Sequence, residues 1–143
     1  MGISKASAEW NGTLTSGKGV MKPAHAPEVP YSLGSRFEGK PGSNPEELIG
    51  ASLAGCFSMA LSVGLEKAGA TPKSIRTTAD VKLDKDGEGF TITSIALTTN
   101  VVADGIDDAT FQTVAEATKK GCPVSKALAS VPNLSLKATL GAA

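Results

Sequence analysis

Eighteen consecutive residues, Leu48–Leu65 (LIGASLAGCFSMALSVGL), carry no charge. A charge-free helix of that length either crosses a bilayer or is walled in by protein. Its content decides between the two. Gly50, Ser52, Gly55, Ser58, Ser62 and Gly64 leave the run only mildly apolar, whereas a span needs about 20 predominantly apolar residues. The expectation is a helix buried in protein, with no membrane partner. Cys56 lies near its middle, and a thiol there reads first as a small hydrophobe.

The flanks support the helix. In "NPEEL", Asn44 is suited to the N-cap and Pro45 to the first helical position, where a missing N–H costs nothing. Glu46 and Glu47 favour the positive end of the helix dipole, and Glu47 stands at the N3 position of a capping box. Lys67 suits the last turn and Gly69 the left-handed residue beyond it. Ala51, Gly55, Ser58 and Ser62 form a row of small residues that permits close approach of another helix. No other charge-free helix exists in the chain, so the expected partner is the same helix of a second copy, with cover by a sheet alone as the alternative.

Around this helix the chain reads as strands, then strands, helices and a strand. "SKASAEWNGTL", "GVMKPAH" and "VPYSLGSRF" are expected as short extended pieces. "SIRTTADVKLD" and "FTITSIALTTNVV" alternate, and the "KDGEG" between them is hairpin chemistry. "DDATFQTVAEATKKG" is amphipathic, with Phe111, Val114, Ala115 and Thr118 on one side. "CPVSKALAS" starts a further short helix with Cys122 at the cap and Pro123 at N1, and "NLSLKATL" is a final strand. One α+β domain over residues 1–143, with mostly antiparallel sheet, is expected.

Fourteen basic residues balance fourteen acidic ones, which argues against a nucleic-acid partner, since such binding needs a cationic excess. Only Arg36 and Arg76 carry a guanidinium. Met1–Trp10 holds no apolar run behind a basic start, and two cysteines fit a reducing, cytoplasmic compartment. The single histidine, His25, lies in a Pro-rich loop as a bystander, and no metal-ligand spacing is present. No cofactor is expected.

Local chemistry ranks the thiols in one order. Cys122, at a helix N-cap, feels free N–H groups and the dipole, which lower its pKa; it is equally readable as a small residue fitted to a tight turn. Cys56 would need a cation brought to it. Arg36 lies just before the long helix, and Glu46 or Glu47 could hold its guanidinium. No CxxC motif is present, so disulfide chemistry would use thiols 66 positions apart.

The segment "RFEGKPGSNPEELIGASLAGCFSMALS" together with "GCPVSKAL" resembles the osmotically inducible protein C / organic hydroperoxide resistance family. "TTADVKLDK", "GFTITSIAL" and "GIDDATF" also resemble its osmotically inducible protein C branch in order and spacing. "KPAHAPEVPYSLG" is where the likeness is weakest. The resemblance implies mostly antiparallel sheets packed on the central apolar helix, and an intertwined homodimer with active sites at the subunit interface. It implies a thiol peroxidase that reduces organic hydroperoxides, and hydrogen peroxide less well. By motif position, Cys56 matches the peroxidatic cysteine and Cys122 the resolving one. Arg36 matches the arginine that stabilises the thiolate, and Glu46 the carboxylate that orients it. The reductant implied is a dithiol, dihydrolipoamide or a lipoylated protein.

The peroxidatic role given to Cys56 reverses the local ranking. The two agree if Cys56 draws its thiolate from Arg36 and the low-pKa Cys122 serves as leaving group when the disulfide is opened. Glu46 and Cys56 lie roughly 15 Å apart along a continuous helix at about 1.5 Å per residue, further than one arginine spans. If one Arg36 touches both groups, they are expected from different subunits. Phe37, Phe57 and Met59 are candidates for a pocket selecting alkyl or fatty-acid hydroperoxides, with plain core packing an equal reading for Phe57 and Met59. The competing classes are a non-catalytic dimeric stress protein or redox sensor with structural thiols, and a general disulfide oxidoreductase.

Overall fold

The computed structural model describes residues 2–141 of the chain. They form two compact units that divide between Glu47 and Leu48.

The first unit is a small antiparallel sheet with strands β1 (Ala6–Asn11), β2 (Lys18–Pro23) and β3 (Val29–Tyr31) in that order. Gly19 of β2 pairs with Trp10 on one side and Tyr31 on the other. A side chain there would come within 2.5 Å of the Tyr31 ring and 2.8 Å of Trp10. Glycine thus lets the two rings meet over β2, with centroids 5.5 Å apart.

The expectation of a long extended piece after Glu28 is corrected by the structure. Only Val29–Tyr31 is strand, and Leu33–Phe37 is helix α1. Ser32 accepts from the Ser35 N–H at 3.1 Å, and the Ser35 hydroxyl accepts from the Ser32 N–H at 2.8 Å. This reciprocal capping box overrides the extended tendency of the preceding residues. Arg36 therefore lies on the last turn of a helix rather than in an extended piece.

Helix α2 (Pro45–Lys67) begins and ends where its caps require. The Asn44 side chain accepts from the Glu47 N–H at 2.8 Å, and Gly69 takes a φ of +87°. The return half of the expected capping box is replaced: the Glu47 carboxylate accepts from the Ser43 hydroxyl at 2.5 Å.

By length and hydropathy α2 would suffice to cross a membrane, but Leu53, Phe57, Leu61 and Leu65 are all 0 % exposed in the core of the second unit. Their spacing of four keeps them on one stripe. They pack with Ile95, Leu97 and Val101 of that unit's three-stranded sheet. The Ser58 hydroxyl donates to Thr77 at 2.7 Å, and Thr77 bonds the fully buried Thr99 at 2.9 Å.

Strands β4 (Thr71–Asp86) and β5 (Gly89–Asp104) form the expected hairpin, with Gly87 at φ +61° in its turn. Helices α3 (Asp108–Gly121) and α4 (Pro123–Ala127) then cross over to β6 (Asn133–Gly141), which pairs parallel to β5. A parallel neighbour requires such a crossover. On α3, Phe111, Ala115 and Thr118 are buried as expected. The α+β class with mostly antiparallel sheet is observed.

The small-residue row of α2 is not uniformly open to solvent. Ala51 and Gly55 are exposed, Ser58 is committed to Thr77, and Ser62 bonds the Met59 carbonyl of its own helix. The outward stripe is instead Ser52, Gly55, Met59 and Val63. A side chain added at Gly55 would meet nothing within 4 Å, whereas one at Gly64 would come 2.9 Å from Val114 of α3.

Candidate active site

The second unit brings its two thiols together. Cys56 is half-buried on α2, while Cys122 is 2 % exposed between α3 and α4; both are reduced. Cys122 closes one helix and opens the next. Its N–H donates to the Thr118 carbonyl at 3.0 Å, and Pro123 follows at N1. As N-cap, its sulfur accepts from the Ser125 N–H at 3.4 Å and lies 3.1 Å from the Ser125 hydroxyl. The two thiols lie close enough for each to influence the other's ionisation, and the Val124 backbone bears on both.

These contacts split the two acidities. Burial works against ionisation of Cys122, but hydrogen bonds from the Ser125 hydroxyl and N–H, from Cys56 and from Val124 outweigh it, leaving the thiol below its ordinary value. Burial pushes Cys56 upward, and the neighbouring Cys122 adds to this against the Val124 hydrogen bond. Among the described residues, no cation contributes to either shift. Local reasoning from the N-cap anticipated this order. Ser125 itself was missed, although its position three residues after the cap in "CPVS" is the spacing of a capping contact.

The first unit holds the charged cluster. Arg36 grips Glu46 in a two-pronged fork, Nε donating to Oε2 at 3.2 Å and Nη2 to Oε1. Such forks fix orientation as well as charge. Glu46 is 8 % exposed and sits in the first turn of α2. Of the two acids proposed as holders, Glu46 takes Arg36 and Glu47 takes Ser43. The guanidinium carbon lies 5.3 Å from the centre of the Phe37 ring. Nη1 has no hydrogen bond among the described residues.

The three apolar candidates part company. Phe57 is fully buried in the core, the packing role weighed for it. Met59 is 74 % exposed, so core packing does not describe it, and Phe37 is 45 % exposed beside Arg36.

A family model described as "OsmC-like protein" matches residues 37–137, a stretch containing Glu46, Cys56 and Cys122 and beginning one residue after Arg36. The chain is 52% identical over 126 residues to "Peroxiredoxin OsmC" of Escherichia coli (strain K12), covering 87% of this chain and 88% of that one. Among solved structures, the organic hydroperoxide resistance protein OhrB of Bacillus subtilis superposes with a TM-score of 0.67 at 25% identity, over 96% of this chain and 98% of that one. An OsmC-like protein of unknown function from Vibrio cholerae shares the fold with a TM-score of 0.77 at 15% identity, over 96% and 99% of the two chains. The chain belongs to the OsmC-like protein family.

Proposed function

We propose that this chain is a cysteine-dependent peroxidase that reduces organic hydroperoxides to alcohols, working as a homodimer. The observation that carries the reading is the meeting of two reduced thiols, 66 positions apart, at the start of α4. Membership of a family that includes a protein named as a peroxiredoxin supports it.

Exposure and acidity divide the work. Cys122 is too enclosed to meet a peroxide, so the half-buried Cys56 is the nucleophile. Its thiolate attacks the distal peroxide oxygen; the O–O bond breaks, an alkoxide leaves and takes a proton from solvent, and sulfur is left as sulfenic acid. Cys122 condenses with it, forming the S–S bond and releasing water. A dithiol then attacks the more accessible Cys56 sulfur and expels Cys122, whose lowered pKa makes it the better leaving group.

Cys56 needs a cation to ionise at neutral pH, since its surroundings within the chain raise its pKa. In this reading the cation is the partner subunit's Arg36, aimed by the Glu46 fork. The guanidinium stabilises both the thiolate and the charge developing on the departing oxygen.

The deciding experiment follows peroxide consumption with a dithiol donor, alongside a thiol titration. One equivalent of cumene hydroperoxide should take the free thiols from two per chain to none. An unchanged titre, with no peroxide consumed, would sink the reading in favour of a non-catalytic protein with structural thiols.

A further inference from the structure

The last turn of α3, helix α4 and the start of β6 border a cleft of about 300 Å³ in the second unit. Lys119, Lys120 and Lys126 line it together with Leu128, Val131 and Leu134. We propose that it binds a small amphipathic anion, a single carboxylate on a medium-length alkyl chain. The proposal does not depend on the peroxidase reading.

The apolar side is preformed. Leu128 caps α4, and the Val131 N–H donates to the Leu128 carbonyl at 3.0 Å, closing a tight turn into β6. Leu134 is the first half-buried position of that strand. Leu128, Val131 and Leu134 all pack on the core while keeping part of their surface in the cleft. Water there meets hydrocarbon on one side, and an alkyl chain replaces it favourably. Organic-ligand sites have this character, apolar walls with a few placed polar groups, and this volume lies at the small end of their range.

Charge chooses the other half of the ligand. The Lys119 ammonium lies 3.0 Å from the Glu116 carboxylate, so that pair is neutral. Lys120 and Lys126 are exposed and have no ion pair among the described residues. Both stand in the last turn of a helix, where a cation complements the dipole. A helix end supplies only about half an elementary negative charge, and a helix as short as α4 supplies less. Two ammonium groups against two such ends leave roughly one positive charge unmatched. One carboxylate balances it; a neutral ligand leaves it unmet. Ser125 forms the inner wall, 4 % exposed, with its hydroxyl on the Cys122 sulfur. Its amide therefore reports on the cleft from the buried side.

The test is a titration of ¹⁵N-labelled reduced protein with sodium octanoate, followed by NMR. The amides of Lys120, Ser125, Leu128 and Leu134 should shift and saturate together. Replacing both exposed lysines, Lys120→Gln with Lys126→Gln, should raise Kd about tenfold, the loss expected for a charge-assisted contact. Ala129→Glu, which sets an acid at an exposed position of the lining, should weaken binding likewise. Acetate and 1-octanol, the headgroup and the chain alone, should each bind at least roughly tenfold more weakly than octanoate. Shifts that never saturate, that map elsewhere in the chain, or that survive loss of both lysines would overturn the proposal. Equal binding of acetate or of 1-octanol would overturn it too, since half of the ligand would then contribute nothing.

Discussion

Ser125 holds the sulfur of Cys122 from two sides, its N–H donating at 3.4 Å and its hydroxyl lying at 3.1 Å. One residue thereby offsets the cost of burying a group that must become negative.

The thiolate absorbance of Cys122, followed against pH in a Cys56→Ser background, should shift upward when Ser125→Ala is added. The stability signs are opposite for the two thiols. Cys122, depressed in the folded chain, contributes stability above the ordinary thiol pKa that is lost as pH falls through its folded value. Cys56, raised, contributes stability below the ordinary value that is lost as pH rises through its own. Urea titrations of the two single-cysteine variants should therefore move in opposite directions with pH; parallel curves would contradict the assigned shifts.

Removing one thiol separates the roles. Cys56→Ser should lose turnover. Cys122→Ser should complete a first reduction and then stall at the sulfenic acid or overoxidise, visible by mass spectrometry as oxygen added to Cys56. Full steady-state activity in Cys122→Ser would exclude a resolving role.

Sharing of the site between protomers is tested by mixing. Arg36→Met should lower kcat/KM roughly 100-fold or more, and Cys56→Ser should be inactive. Exchanged into mixed dimers, each pair contains one intact Arg36 opposite one intact Cys56, and roughly a quarter of wild-type activity should return on statistical mixing. No recovery in demonstrably mixed dimers would place both groups in one chain.

Gly55 probes the outward stripe of α2. In an isolated chain Gly55→Ala would stabilise by about 0.5–1 kcal/mol, because nothing lies near the added methyl. If a second copy packs there, Gly55→Leu should shift sedimentation from dimer to monomer. An unchanged dimer would move the interface elsewhere.

The legible parts of the fold were those with local signals. Asn44-Pro45-Glu46-Glu47 announces α2, and Asp86-Gly87 its hairpin. Helix α1 escaped because five residues are too few to show a period, and only the Ser32–Ser35 pair marks it. Phe57 and Met59 could not be told apart because α2 is apolar all round. Two residues apart, they point about 200° away from each other, and only the sheet decides which side is buried. The parallel β5–β6 pairing was likewise invisible, since alternation shows a strand but not its neighbour. The meeting of Cys56 with Cys122 depends on that crossover, so residue chemistry alone left it open and only the family likeness anticipated it.

Bonding those two sulfurs would also change the topology of the molecule. A covalent link between positions 56 and 122 encloses α3, the β4–β5 hairpin and half of α2 in one ring. Chain-entropy reasoning gives about 4 kcal/mol for a loop of that size. Each turnover would then alternate between a looser dithiol form and a tighter ring-closed form. The oxidised protein should outlast the reduced one under heat or protease, so a cell short of reductant would accumulate the enzyme in its most durable state.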